Sequence, residues 1–391
     1  MSKYDIYRHE KNLIAAENRI KKANYSKEDK ELILKYEEFL FAEGLSTARV
    51  LKYLGQLNRI ASYWGMSLKD ATKDDVVSLI GKIERHNYKP NTKNDYKKCI
   101  KKFYRWHYGK KKPKITKWIK IKPVKDSSVQ KEDLLLQEEI LSLIKAAEHP
   151  RDKALFSILA DSGARIGEIA NIKIKNIFFD DKGALLSVDG KTGKRTIRIV
   201  ASVPDLSRWL DMHPLKDNVN APLWINIGTR NRGKHMNYDG FRKVVMRTVE
   251  KAGVNKRVYH HLFRHTRSTE LSSHFTDAIM NAHFGWVPGS NMPRTYVHLN
   301  GKDTDQAMLA LHGLVEDKTK TLLTFKQCYH CDTKNSPASN LCSHCGRPLD
   351  LKATMDFVDI RKQLNIEITN LISIEPNVNC ILQENLCVGQ L

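Results

Sequence analysis

Apolar residues recur at every third or fourth position through most of the chain, the period of helices that bury one face. Leu32, Tyr36, Phe39 and Leu40 form one such stripe, and Val50, Leu51, Leu54, Leu57, Ala61 and Trp64 form another. Thr72 and Asp75 have the spacing of a capping box, which predicts a third helix running through Ile83. Pro90 opens a fourth, with Tyr96, Cys99, Ile100, Phe103 and Tyr104 on its inner side and Lys93, Lys97, Lys98, Lys101, Lys102 and Arg105 outside. Residues 26–108 thus predict a compact helical domain with one basic face. Residues 1–25 are polar, charged and helical in character without a clear stop, and are expected to form an arm.

The next stretch loses this period. Between Lys110 and Lys125 stand eight lysines and no acid, broken by Pro113 and Pro123. It reads as an extended basic linker over 109–132, with Trp118 a candidate for packing onto a neighbouring domain. Helical spacing returns at 137–147 and, in a shorter and mostly apolar run, at 154–161. After a helical turn at 168–172 the period drops to two: 184–188 and 196–200 alternate around Asp189-Gly-Lys-Thr-Gly-Lys-Arg195, which predicts a β-hairpin with a basic tip. Further helices, one over 238–251 behind the Gly- and Arg-rich loop 228–234, complete a second domain over 133–315. The fold class is therefore mainly α with a small β-hairpin or sheet, an α+β arrangement. In the tail, 353–391, Phe357, Ile360, Leu364, Ile368 and Leu371 line one helical face suited to docking on its own domain or on another protomer.

Charge narrows what these surfaces meet. The 391 residues hold 66 Lys and Arg against 44 Asp and Glu, a formal net charge of +22, while 41% hydrophobic residues suffice for real cores. The tail holds five acids and two bases, so the charge lies on the rest of the chain. Such a field argues against a neutral metabolic enzyme and for a polyanionic partner, of which nucleic acid is the commonest in a cell. No run of some 18 apolar residues and no apolar leader segment is present, so a soluble, intracellular protein without membrane contact is expected. Four of the seven cysteines stand together, Cys328, Cys331, Cys342 and Cys345, as two C-x-x-C knuckles. Four thiolates at this spacing can close a tetrahedral Zn²⁺ site, structural because no coordination position stays open. Residues 322–352 then form a small zinc ribbon whose partner is DNA or another protein. Paired redox disulfides, the competing reading, would need a strand-helix context that Ser336-Pro-Ala-Ser-Asn340 does not offer.

Several residues of the second domain are suited to phosphate. Arg165 stands in Ser-Gly-Ala-Arg-Ile-Gly-Glu168 at a glycine-flanked helix entrance, and Lys191 at the hairpin tip, with Lys194 as its competitor. His261 and Arg264 share a helical face, and Tyr296 follows in Arg-Thr-Tyr-Val-His298. In this order the boxes resemble the tyrosine recombinase (phage integrase) family over residues 26 to about 314. The hairpin lysine matches Lys191 in Gly-Lys-Thr-Gly-Lys. The family box His-x-Leu-Arg-His-Thr appears as His261-Leu-Phe-Arg264-His-Thr266, Leu-Gly-His becomes Phe284-Gly-Trp286, and the closing Tyr-x-His is Tyr296-Val-His298.

The resemblance implies a helical core-binding domain, a basic linker and a catalytic domain that clamp one DNA duplex, with four protomers acting on two sites. It implies a cytoplasmic, nucleoid-associated, prokaryotic protein whose catalysis needs neither metal nor ATP. Tyr296 would be the nucleophile forming a 3′-phosphotyrosine. Arg165 and Arg264 would hold the charge that develops on the phosphate, and His261 would accept the phenolic proton or bind the phosphate. Lys191 would protonate the departing 5′-oxygen. Trp286 keeps one N–H donor but cannot shuttle a proton, so it would donate to the phosphate or buttress Tyr296. Glu168 would orient Arg165 or His261, and Tyr238 and Tyr259 are weaker rivals to Tyr296. Two other functions stay open at this stage: strand relaxation like that of a type IB topoisomerase, and sequence-specific DNA binding without catalysis.

Overall fold

A computed structural model describes residues 4–122, 130–190, 193–229, 231–300 and 323–350, together with His312, Ala353 and Gln363; side chains in the helix that ends at residue 300 are described as far as Tyr296. The chain divides into two units, 1–128 and 129–391. The tail stripe beginning at Phe357 and the hairpin tip at Lys191 lie outside the described residues.

In the first unit, α1 (His9–Lys22), α2 (Lys27–Ala42), α3 (Thr47–Tyr63), α4 (Lys73–Arg85) and α5 (Pro90–His107) enclose one apolar core that includes Ile33, Tyr36, Leu40, Leu54, Ile60, Val76, Ile83 and Phe103. The capping box at α4 is present, with Thr72 and Asp75 bonding to each other's backbone N–H groups. Two expectations are corrected. Residues 1–25 are not a free arm: Ala16 and Ile20 of α1 are buried in the core, because the small apolar stripe Leu13, Ala16, Ile20 keeps helical spacing inside a charged sequence. Residues 109–122 are not wholly extended either. Pro113 acts as the N-cap of a short helix α6 (Lys114–Lys117) rather than as a breaker, and Ile115 and Ile119 are buried in the same core. Trp118 packs there too and donates Nε1–H to the Ile115 carbonyl at 2.9 Å. The basic face of α5 is partly tied down: Lys97 pairs with Glu84, Lys101 donates to the Ile119 carbonyl at 2.7 Å and Lys102 pairs with Glu43 at 2.6 Å, whereas Lys98 and Arg105 stay exposed.

The second unit is α+β, as expected. Helix α7 (Gln137–Ala146) leads to α8 (Pro150–Ser162), whose buried residues run from Arg151 to Ser162, so it is the central helix of the unit. After α9 (Ile166–Ile169) comes an antiparallel sheet in the order β1 (Ile177–Asp180), β2 (Gly183–Gly190), β3 (Gly193–Ile199). The predicted hairpin is β2–β3, with Leu186 opposite Ile197 and Gly190 opposite Gly193. β1 was not foreseen; its outer residues Phe178 and Phe179 are exposed, so it shows no alternation of apolar and polar positions. Then follow α10 (Val203–Asp211), α11 (Tyr238–Ala252), α12 (His260–Leu271), α13 (Asp277–Phe284), α14 (Met292–Asn300) and the small ribbon pair β4 (Lys326–Gln327) and β5 (Lys334–Asn335). Buried Asp161 at the end of α8 accepts from Val200 N, Ser202 N and Ser202 Oγ at 2.9–3.0 Å, which pins the exit of β3 to the central helix. Among the described residues no helix is long and apolar enough to cross a membrane.

Asp29 holds the first unit in the same manner, taking the N–H groups of Leu68 and Lys69 on one oxygen at 2.9 Å each while 2% exposed. Asp29→Ala leaves two N–H groups short of an acceptor and should destabilise this unit by about 2–3 kcal/mol, with Asp29→Asn milder because an amide oxygen remains. Amide hydrogen exchange of peptides from 27–107 checks this: protection should fall by at least about 10-fold for the alanine variant.

Candidate active site

Four short pieces of the second unit meet at one point, and each arrives there for a local reason. Helix α8 ends at Gly163, whose φ of +59° is the left-handed region. A Cβ there would stand 2.8 Å from Phe284 and 2.9 Å from Arg267, so only glycine lets the chain turn this close to the α13 end. The turn delivers Arg165 to the N-cap of α9. Three residues on, Glu168 folds back: its Oε2 accepts Arg165 N at 2.9 Å and its Oε1 accepts the Arg165 guanidinium at 3.0 Å.

Glu168 is 2% exposed and has a second, bidentate partner, Arg195 of β3, at 2.6 and 2.9 Å. Burial alone would raise its pKa; the ion pair with Arg195 and the bonds from Arg165 outweigh that and lower it, so it is a carboxylate. Arg195 also donates Nε–H to the His283 carbonyl at 2.9 Å, tying the hairpin to α13. The hairpin backbone comes equally close at Gly190, where a Cβ would lie 2.3 Å from Glu168 Oε1.

Arg264 of α12 is 1% exposed and donates to the Gly163 carbonyl at 3.2 Å and the Phe284 carbonyl at 2.7 Å. Arg165 reaches the same Phe284 oxygen at 3.3 Å and the Gly285 carbonyl at 3.4 Å. Two guanidinium groups thus converge on one carbonyl. Burial, then repulsion from Arg165, push the Arg264 pKa down to about 9, which leaves it cationic at neutral pH. Three arginines surround one carboxylate, and the surplus positive charge makes the place a preformed anion site.

Phe284, Trp286 and Tyr296 form an aromatic stack beside it. The Phe284 and Trp286 ring centroids are 4.9 Å apart, and Trp286 lies parallel to Tyr296 within 4° at 5.4 Å. Arg264 faces both the Phe284 and the Trp286 rings, at 5.0 and 5.4 Å. Tyr296 is 1% exposed, and its hydroxyl is 2.9 Å from Nδ1 of His265. The His265 ring meets His261 edge to face at 4.7 Å. Desolvation, then His265, Arg264 and Arg165, push His261 down to about 4 although the residue is exposed at the surface, so it is neutral at pH 7.

The structure therefore brings together Arg165, His261, Arg264, Trp286 and Tyr296, while Lys191 lies outside the described residues. Lys194 is exposed on β3 opposite Asp189. Tyr238 packs against His260 and Tyr259 against Arg257, away from the stack just described. Two residues had not been singled out. His265 follows Arg264 directly and stands four positions from His261 on the same helical face, a spacing that could have flagged it. Arg195 gave no such signal, because only the strand register carries it to Glu168.

Residues 133–303 match the model of the phage integrase family. Tyrosine recombinase XerA of Pyrococcus horikoshii is 25% identical over 249 residues, 62% of this chain and 79% of that protein. Among solved structures, the integrase of transposon Tn1549 in complex with transposon right end DNA aligns at a TM-score of 0.55 with 17% identity, covering 72% of this chain and 99% of that one. A lambda integrase tetramer bound to a Holliday junction aligns at 0.54 with 15% identity, covering 70% and 78%. At these identities the two structures speak for the fold.

In the ribbon, the four Sγ atoms of Cys328, Cys331, Cys342 and Cys345 lie within 4.8 Å of one another and can hold a metal ion. Each knuckle is followed by a residue at positive φ, Asp332 at 55° and Gly346 at 70°, which closes the turn. Ser336 Oγ donates to buried Asp205 of α10 at 2.7 Å, and Ser157 of α8 bonds the same oxygen, so the ribbon is fastened to α10 and α8.

Burial around the site also makes the domain acid-sensitive. His260 and His283 are both pushed down to about 4, chiefly by desolvation. Between that value and the unfolded value of about 6.5 the unfolded chain binds more protons, so stability is lost as pH falls through this window. Urea midpoints measured from pH 7 to pH 4.5 should decline, and His283→Gln, which retains a donor for the Ser162 carbonyl, should flatten the decline. An unchanged slope in that variant would contradict the assignment.

Proposed function

We propose that this protein is a site-specific DNA recombinase that breaks and rejoins strands through a covalent 3′-phosphotyrosine on Tyr296. The observation that carries the reading is the pair of guanidinium groups on the Phe284 carbonyl beside a buried tyrosine whose hydroxyl is hydrogen-bonded to an imidazole. A scissile phosphate drawn to this place would receive donors from Arg165 and Arg264 on its non-bridging oxygens, where negative charge grows as a fifth bond to phosphorus forms. Glu168, held by Arg195, fixes the Arg165 fork and keeps it from collapsing onto solvent. Trp286 buttresses the phenol by stacking. Tyr296 oxygen attacks phosphorus, the bond to the 5′-oxygen breaks, and Lys191 supplies the proton that the leaving oxygen needs. His261, neutral at pH 7, is free to bind the phosphate. Because the phosphotyrosine retains the energy of the broken ester, a 5′-hydroxyl from a second strand can reverse the step without ATP.

Transfer to another duplex requires two sites held together, which supports a homotetramer on two double-stranded DNA sites. The tetramer on a Holliday junction and the complex with transposon end DNA, seen for relatives of this fold, support the same reading. The first unit, with Lys98 and Arg105 exposed on α5, would add non-specific phosphate contacts. For the ribbon, Zn²⁺ is the ion the donor set fits. Tetrahedral Zn–S bonds of about 2.3 Å place sulfurs about 3.8 Å apart, and Cys328–Cys345 and Cys331–Cys342 stand at 3.6 Å. The ion would be structural, and the ribbon offers a surface for DNA or for a protein partner.

Incubation with a nicked suicide duplex containing the recognised site should trap a covalent adduct with the wild type and none with Tyr296→Phe. Arg165→Ala should lower the rate by about 10²–10³-fold. An adduct that survives Tyr296→Phe would contradict the reading. Chelation should reduce hydrogen-exchange protection in 323–350 and, through Ser336 and Asp205, in α10, while adduct formation with a pre-bound duplex persists. Cleavage that needed free metal would overturn the proposed chemistry.

A further inference from the structure

Resting on Tyr296 as the nucleophile, we infer that His265, rather than His261, is the base that takes its proton. A phenol ionises near pH 10, so attack at neutral pH needs an acceptor within hydrogen-bond reach of the hydroxyl. His265 Nδ1 is the ring nitrogen within that reach, at 2.9 Å, and it accepts in the tautomer that carries its proton on Nε2. The geometry is held from both sides of the phenol. Trp286 lies parallel to the Tyr296 ring within 4°, fixing the plane in which the hydroxyl points, and α14 packs against α12, the helix that carries His265. His261 is one turn earlier on α12. Its ring faces His265 edge-on, and its charged neighbours are Arg264 and Arg165, the groups placed for the phosphate. The two histidines thereby divide the work: His261 toward phosphate, His265 toward the nucleophile.

The step balances as follows. With the ring proton of His265 on Nε2, Nδ1 accepts the hydrogen bond from the Tyr296 hydroxyl. The Tyr296 O–H proton moves to Nδ1 as the phenolic oxygen forms its bond to phosphorus, and the electron pair of the breaking P–O bond leaves on the 5′-oxygen, which is protonated separately. In rejoining, the His265 imidazolium returns its proton to the departing Tyr296 oxygen.

A substrate with sulfur in place of the bridging 5′-oxygen separates this role from leaving-group catalysis, since a thiolate departs without a proton while Tyr296 must still lose one. The full-length protein is assayed for adduct formation on the ordinary and sulfur-bridged suicide duplexes, as wild type, His265→Ala and His265→Asn. Asparagine keeps an oxygen acceptor for the tyrosine hydroxyl but cannot carry its proton, so it answers the question even where alanine fails to fold; melting curves and gel shifts report folding and DNA binding. We expect both folded His265 variants to form adduct about 100-fold more slowly or worse on both substrates. Their rates should also rise only at alkaline pH, where the phenol ionises unaided. Wild-type-like rates in either variant, or full recovery on the sulfur-bridged duplex, would overturn the inference while leaving Tyr296 as the nucleophile. A wild type that forms no adduct would overturn both.

Discussion

One buried carboxylate set among three arginines is the constraint around which the second unit is organised. Glu168 neutralises part of the charge of Arg165 and Arg195, but Arg264 is left with carbonyl oxygens and aromatic faces as partners. Two guanidinium groups within 3.3 Å of the same Phe284 oxygen repel each other. At a separation of about 6 Å and an effective dielectric of about 20, that repulsion amounts to roughly 3 kcal/mol. The fold tolerates it because α8, α9, β3, α12 and the α13 end are each bonded into the cluster by backbone or side chain. In the proposed reaction a phosphate entering the site would relieve the repulsion, so a cost in the free protein would become a binding and transition-state contribution.

The same logic explains how closely the backbone must pack there. Gly163 and Gly190 are positions where a single Cβ would collide with Phe284 or with Glu168. Both bring main chain against the cluster, one to turn into Arg165 and the other to carry the hairpin across Glu168. The ribbon is held by a second buried carboxylate, Asp205, which joins α8 and α10 to Ser336. The central helix α8 therefore meets the ribbon through Ser157 near its middle and the arginine cluster through Gly163 at its C-terminal end.

Much of this was legible from residue order, and what was not has identifiable causes. Helices with a continuous apolar stripe, the capping box at Thr72 and the hairpin closed by Gly190 and Gly193 were readable because local spacing dictates them. The docking of α1 into the core and the turn α6 escaped because only two or three buried residues in each, such as Ile20 or Ile115, carry the signal against a heavily charged background. The site residues Arg165, His261, Arg264, Trp286 and Tyr296 came from matched boxes. Arg195 and the choice of His265 as partner for Tyr296 depend on strand register and on the crossing of α12 with α14, which no local pattern encodes. The tail beyond the ribbon and the hairpin lysine, Lys191, lie outside the described residues.

The central claim is that the arginines act by their charge on the scissile phosphate and not merely by holding the fold. Replacing one non-bridging oxygen of that phosphate by a methyl group removes a negative charge while keeping the bond to be broken. The informative measurement is therefore the ratio of cleavage rates, wild type to Arg165→Ala, on the phosphate and on the methylphosphonate. The account predicts that the large penalty of the substitution on phosphate shrinks by at least about 10-fold on the neutral substrate. An equal penalty on both substrates would mean that Arg165 serves the fold alone, and would contradict the account.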